Sequence, residues 1–423
     1  MNEKTYFELI DEAARPVPPV FALAERHQEN QRLFQGIPSI ACTQKGDLWA
    51  AWYSGGQGES PLNFVLAARS KDGGVSWGNQ LVIDPPGKVR AADPLLWLDP
   101  LNRLWLFWMQ SHTLHDGRNG VWFIRNDHPD QPESKWSAPR RICDGVLLNK
   151  PAVFQDGSWN FPVSRLTSHY LGNEFRMLPG FLRTGLMDLV STEEKEAIDR
   201  KAGAFLYRSS DHGETFVEIG VCKVPDAYST HNEHAFVQLG DGTLWMLLRT
   251  TYGIARSFSS NHGKDWTTAE PTGWPHPSSR FFFGRLRSGA LLFIKHRELS
   301  PAGFSLEKTK YKRDRLTAFL SDDDGKSWSD GLLLHEGLCS YPDVCEDGKG
   351  DIHIIFDRER RLEREVLRLT LREEDLRAGR VHDQSSLKPV LISKGTGILK
   401  PEEDWAQWKG RDAAEAPLIF TGI

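Results

Sequence analysis

Six short segments scattered along the chain set chemically capable side chains beside residues that read as strand entries. They are QGIPS from Gln35, RAADP from Arg90, NKPAV from Asn149, HNEHA from His231, SSRFF from Ser278 and SYPDV from Ser340. Together they supply Arg90, Asp93, Lys150, His231, Glu233, His234, Arg280, Tyr341 and Asp343. Any one of these alone reads as a solvated or hydrogen-bonded strand end. Gathered around one mouth, they form the kind of polar ring that receives a polar ligand. The histidines titrate near neutral pH and could move protons. They do not read as a metal site, because side chains on a strand alternate and residues three apart cannot share a face. Cys42, Cys143, Cys222, Cys339 and Cys345 are odd in number and scattered, with no CxxC pair. They read as reduced thiols and not as a zinc or redox motif. No cofactor or metal is expected.

A repeated element must bring these segments together. A polar turn followed by an apolar or alternating strand recurs as KGDLWAAWY, LNRLWLFWM, QDGSWNFPV, GDGTLWMLL, RSGALLFIK and GKGDIHIIF. Each turn carries a residue able to take a positive φ, as tight hairpins require: Gly46, Asn102, Gly157, Gly242, Gly289 and Gly350. Copies at this spacing fit four-stranded antiparallel blades, and six of them predict an all-β, six-bladed β-propeller. The stretch between the third and fourth copies is the longest. Within it, residues from about Ser164 to Lys201 break the strand rhythm, and STEEKEAIDRK opens with Ser191 as N-cap and Glu194 three residues later. This capping box predicts a short helix in an insertion on the third blade, which could wall a pocket.

A second repeat lies between these units: SKDGGVSW from Ser70, SSDHGETF from Ser209, SSNHGKDW from Ser259 and SDDDGKSW from Ser321, with a decayed copy ending at Trp136. Its Asp or Asn suits acceptance of turn N–H groups, its Gly permits the turn, and its aromatic ring packs inward. These carboxylates are read as structural. Here the chain resembles the sialidase superfamily, whose β-propellers carry such Asp-box (BNR) repeats. The resemblance runs from about Gly36 to about Leu391. It implies one domain over 1–423, with an N-terminal arm over 1–35, blades over 36–391 and a closing tail over 392–423 that contains Trp405 and Trp408.

The resemblance also implies roles. Tyr341, in CSYPDV, matches the family nucleophile at the start of the last blade. Glu233, in NEHAFVQLGDG, matches its carboxylate partner. Arg249, ending TLWMLLR, and Arg315, in RLTAFLSDDDGKSW, match two arginines that hold a substrate carboxylate. A neutral Tyr is a poor nucleophile until a carboxylate takes its proton. A phenol also avoids setting a second anion against an anionic sugar. Arginine offers paired donors to a carboxylate where lysine offers a point charge. Two departures follow. The family's Arg before Ile-Pro on the first inner strand is Gly36 here, a gap that Arg280 or Arg90 could fill from another blade. The family's acid/base Asp has Glu59 as its nearest counterpart, in YSGGQGESPLNF.

Composition bounds the rest. The chain has 423 residues, 26% charged, with a formal net charge of −5. That mild acidity argues against a nucleic-acid partner. No apolar run is long enough for a membrane helix, and MNEKTYFELIDEAARPVPPVF shows no secretory pattern, so a cytoplasmic location is expected. The leading expectation is an exo-glycosidase acting on a terminal acidic or uronate-linked sugar of an oligosaccharide. Tyr341, Glu233 and Glu59 would be catalytic, and Arg249, Arg315, Arg280, His231, His234, Arg90, Asp93 and Lys150 would bind substrate. The alternatives are a uronate lyase using Tyr341 with His231 or His234, and a non-catalytic glycan-binding propeller. The sequence does not fix an oligomeric state.

Overall fold

The structure is a computed structural model that describes residues 5–398 apart from 57, 132, 172–188 and 298–311. Six antiparallel sheets follow one another along the chain, each made of consecutive strands. Their innermost strands are Phe34–Cys42, Arg90–Leu98, Ala152–Val153, Asn232–Gln238, Phe282–Arg285 and Ser340–Glu346. Blades one and two, four and five, five and six, and six and one meet through their innermost strands, and the third blade joins its neighbours through Val146–Leu147 and Trp159–Arg165, which closes the ring. The fold is thus a six-bladed β-propeller. The third blade carries one extra short strand, Val146–Leu147, paired with Trp159–Arg165.

Local chemistry explains the strands. All six turn positions named from sequence have positive φ, between 60° and 96°. The four Asp boxes share one geometry. In the first, Gly74 N donates to Ser70 Oγ at 2.8 Å, and Val75 N and Ser76 N donate to Asp72 Oδ1 at 3.0 and 2.9 Å. Trp77 Nε1 then closes on Gly74 O at 3.2 Å. Asp211, Asn261 and Asp323 accept turn N–H groups in the same way. Four boxes thus spend their carboxylate or amide on their own hairpin. The decayed copy keeps the ring alone: Trp136 bridges Asn126 and packs edge-on against Trp49.

Blades stack face to face, so central strands are buried on both sides and read as unbroken apolar runs. Leu48–Gly55 is buried throughout. Between the second and third blades the filling is aromatic, with Trp97, Trp105, Phe107, Phe123, Trp159 and Phe161 in one cluster. Offset and edge-to-face rings fill such a wedge well.

The N-terminal arm helps to hold the closed ring. Thr396 N donates to Glu29 O at 2.8 Å, Gly397 N to Arg32 O at 3.1 Å, and Arg32 Nη1 to Ser393 Oγ at 3.1 Å. The helix Tyr6–Ala13 packs against Leu171 and Val190 at the insertion. The helix read at Ser191 spans Thr192–Arg200 with its full capping box. Trp405 and Trp408 lie outside the described residues. All five cysteines are free. Among the described residues no helix is long and apolar enough to cross a membrane.

Candidate active site

One backbone device recurs at the channel mouth. Near its start, the innermost strand of four blades carries a β-bulge, between Gly36 and Ser39, Ala92 and Leu95, Asn232 and Ala235, and Ser340 and Asp343. The first residue inside each bulge has a positive φ: Ile37 (49°), Asp93 (53°), Glu233 (36°) and Tyr341 (56°). Bulges of this kind re-aim side chains at sheet rims. Non-glycine residues hold such angles only where the surroundings enforce them. Asp93, Glu233 and Tyr341 therefore occupy one equivalent position in blades two, four and six.

The bulges bring Tyr341 and Glu233 into contact. Tyr341 Oη donates to Glu233 Oε1 at 3.1 Å. Arg249 Nη1 donates to the same oxygen at 2.8 Å and lies 3.2 Å from Tyr341 Oη. Both Tyr341 and Glu233 are buried. Burial disfavours the Glu233 anion, but Arg249 and the other nearby cations outweigh it and hold the carboxyl below the ordinary range. Burial and then the Glu233 charge push the Tyr341 phenol up, against the pull of Arg249, Arg313 and Arg360. The resting pair is thus a neutral phenol beside a carboxylate.

Cations surround the phenol ring. The guanidinium carbons of Arg360, Arg280 and Arg313 lie 4.9, 5.4 and 5.5 Å from its centroid. They do different things. Arg280 is wholly buried and spends its donors on backbone: on Leu148 O, on Tyr341 O at 3.0 Å and on Pro342 O at 2.8 Å. It fastens the channel and is not free to fill the gap at Gly36. Arg313 donates to Ser278 O at 3.0 Å and lines the cleft together with Arg249. Arg360 lies beside the gap itself, since a Cβ on Gly36 would overlap its Cγ and Cδ.

Arg315 is outside this cluster. Its φ of 49° interrupts the strand entry, its guanidinium pairs with Asp314 at 3.7 Å, and its Nε donates to Arg297 O. Arg313, two residues earlier, is the one that reaches the phenol, because its backbone carbonyl accepts from Cys339 N at 2.8 Å, next to the last blade's bulge. Sequence reasoning missed Arg313 and Arg360. A pair of arginines ahead of the box was visible, but alternation could not say which one turns inward. Arg360 sits in DRERR, a charge run that reads as solvated loop.

Further around the mouth, Glu59 accepts from Tyr53 Oη at 2.6 Å and from Arg90 Nη2 at 2.8 Å, with Arg360 Nη1 at 3.6 Å. Burial opposes its charge, but Arg90 and Arg360 prevail and lower its pKa. Arg90 is fully buried and committed to this pair. Lys150 reaches inward, where its ammonium donates to Ile40 O (2.7 Å), Leu96 O (2.8 Å) and Asp343 Oδ2 (2.8 Å). All three of its donors are used within the protein, so it ties blades together and has none left for a substrate. Asp343 Oδ2 also accepts from Ser39 Oγ at 2.5 Å and Ile40 N at 2.9 Å.

The two histidines separate: His231 precedes the innermost strand of blade four, and His234 lies within its bulge. His234 is buried between blades, its Nε2 2.9 Å from Phe205 O, and faces away from the mouth. His231 lies in the cleft, its ring 4.5 Å from that of Tyr170. Burial lowers both to about 4, so both are neutral near pH 7. Tyr170 belongs to the insertion on the third blade and donates to Thr230 Oγ1 at 2.9 Å. The insertion thus walls a cleft of about 1420 Å³ that opens beside Arg249 and Arg313. Among the described residues no His, Cys, Asp or Glu group is arranged to hold a metal ion.

Similar folds include the Hadza microbial sialidase Hz136, at 17% identity and a TM-score of 0.58 over 81% of this chain and 66% of that one. An intramolecular trans-sialidase from Ruminococcus gnavus is 13% identical, with a TM-score of 0.55 over 84% of this chain and 98% of that one. A protein of unknown function from Dyadobacter fermentans is 15% identical, with a TM-score of 0.56 over 81% and 94%. At these identities the likeness concerns the fold alone. No curated protein matches the sequence. Residues 46–354 match the family described as BNR repeat-like domain, and with most of the chain inside that match the protein belongs to this family.

Proposed function

We propose that the protein is an exo-glycosidase of sialidase type, which removes a terminal acidic or uronate-linked sugar from an oligosaccharide through a covalent bond to Tyr341. The observation that carries this reading is the contact of a buried Tyr341 phenol with the Glu233 carboxylate at 3.1 Å. A tyrosine becomes a useful nucleophile when a neighbouring anion receives its proton as the new bond forms. Glu233 is ionised and positioned for that step, and Arg249 keeps it so.

The cations supply the substrate preference. Arg249, Arg313 and Arg360 converge on the Tyr341 ring and form the carboxylate clamp in this proposal. Arginine donors suit a planar carboxylate, and in a buried site such pairing is strong. Glu59 acts as a buttress that holds Arg90 and faces Arg360. The histidines give a lyase no better base: His234 is engaged elsewhere, and His231 is too weakly basic to take a proton from carbon efficiently.

The test is direct. The protein is incubated with sialosides and with uronate-containing oligosaccharides while free sugar and the ultraviolet absorbance of unsaturated uronate are followed. Free sugar without absorbance is expected. Absorbance would replace hydrolysis by elimination, and glycan binding without turnover would make the propeller a binding module.

A further inference from the structure

We propose that Asp93, and not Glu59, is the proton donor to the leaving group, because it is the carboxyl that the fold aims into the mouth without a partner. This rests on the glycosidase reading above. Asp93 occupies in blade two the bulge position that Glu233 holds in blade four and Tyr341 in blade six, with a φ of 53°. No hydrogen bond or ion pair restrains its carboxyl among the described residues. The residue is 9% exposed, and neither carboxyl oxygen is sealed off from solvent. Glu59 is the opposite case: Tyr53 and Arg90 donate to it and Arg360 lies close, which fixes it as an anion with no proton to give.

Charge around Asp93 agrees with this geometry. It faces Arg90 of its own strand, Tyr53 of blade one, Glu59 of the following loop, Glu233 of blade four and Arg360 of blade six. Burial raises its pKa, Arg90 and Arg360 oppose this, and the Glu59 and Glu233 anions add to it, to about 7. A donor poised near neutral pH suits acid–base work in both directions.

The proton balance closes. Asp93 gives its proton to the glycosidic oxygen as the bond from that oxygen to the anomeric carbon breaks, and the leaving sugar departs as a neutral alcohol. Tyr341 Oη forms the new bond to carbon and its proton passes to Glu233. In the second half Asp93, now a carboxylate, takes a proton from the attacking water. The water oxygen displaces the tyrosine, and Glu233 returns the phenol proton.

Two measurements decide the matter separately. Difference infrared spectra between pH 5.5 and 8.5 read protonated carboxyls without any substrate. We expect a carboxylic acid band that vanishes with a midpoint near 7, is missing in Asp93→Asn and persists in Glu59→Gln. A band that survives Asp93→Asn, or no band at all, would overturn the assignment. The second measurement uses umbelliferyl α-N-acetylneuraminide and umbelliferyl β-glucuronide beside the matching sugar–sugar linkages. In kcat/KM, which reads only the steps up to departure of the leaving group, Asp93→Asn should lose roughly 10²–10⁴-fold on sugar leaving groups, and less than about 10-fold on umbelliferone, whose departure needs little protonation. Equal losses on both would also overturn it. If the wild-type protein cleaves none of these substrates while the infrared band behaves as stated, the glycosidase reading fails and the protonated Asp93 stands.

Discussion

Gly36 and Arg360 occupy one volume. A Cβ built on Gly36 would overlap the Arg360 stem and would lie 2.9 Å from Asp357 Oδ2. The carboxylate of Asp357 accepts from Ile37 N at 2.9 Å and from Ser340 Oγ at 2.6 Å, and so joins the bulges of blades one and six where Arg360 passes. The missing arginine of blade one and the extra arginine of blade six are therefore two halves of one arrangement.

From this relationship, Gly36→Ala should displace Arg360 and act like Arg360→Ala. Each should weaken binding of an acidic sugar roughly 10–100-fold, the scale of one charge-assisted hydrogen bond, with little change in kcat. The pair of changes should not add, since both remove the same contact. Gly36→Arg combined with Arg360→Gly should recover part of the loss. Independent, additive effects on KM would show that Arg360 is not a clamp residue.

Tyr341→Phe keeps the buried ring and removes the hydroxyl that donates to Glu233, so the fold should persist by circular dichroism. Turnover should fall by roughly 10³-fold or more. Glu233→Gln should cost a similar factor, and the double variant little more than either, because the two act as one unit. Wild-type turnover by Tyr341→Phe would refute the nucleophile assignment.

What was legible in the sequence follows from what is local. Turn residues needing positive φ, the Asp boxes and the capping box at Ser191 are short-range devices, and they announced six blades and the helix. Tyr341 and Glu233 could be placed at the mouth because each lies at the opening of an innermost strand, whereas Arg249 was legible only through its match to the family pattern. Arg313 and Arg360 were not. Arg313 is selected over Arg315 by a backbone reversal at the strand entry, and Arg360 by a steric fit to a residue more than three hundred positions away. The opposite charge states of Glu59 and Asp93 were equally hidden, since they depend on partners from several blades.

Lys150 offers a stability test distinct from the chemistry. Its ammonium satisfies two backbone carbonyls and Asp343 at once. Lys150→Met would leave those acceptors and a nearly buried carboxylate without their cation. The expected loss is about 3–5 kcal/mol, the scale of breaking one side of a buried pair, read as a lower urea midpoint. An unchanged midpoint would mean that water replaces the ammonium at no cost.

Asp93 gives a pH-dependent stability with a definite sign. Its folded carboxyl titrates near 7, above the ordinary value of 3.8. The folded state therefore binds more protons than the unfolded chain between those values, and its contribution, complete below about 4, is lost as pH rises through 7. Asp93→Asn removes this penalty while keeping the shape. The variant should be more stable than wild type at pH 8, by on the order of a few kcal/mol, and the advantage should shrink steadily below pH 7 and approach zero near pH 4. His231 and His234, lowered to about 4, work in the other direction: both proteins should lose stability together as pH falls from 6.5 toward 4. The difference between the two melting curves therefore isolates Asp93. A difference that does not vary with pH would mean that its carboxyl stays ionised in the folded state.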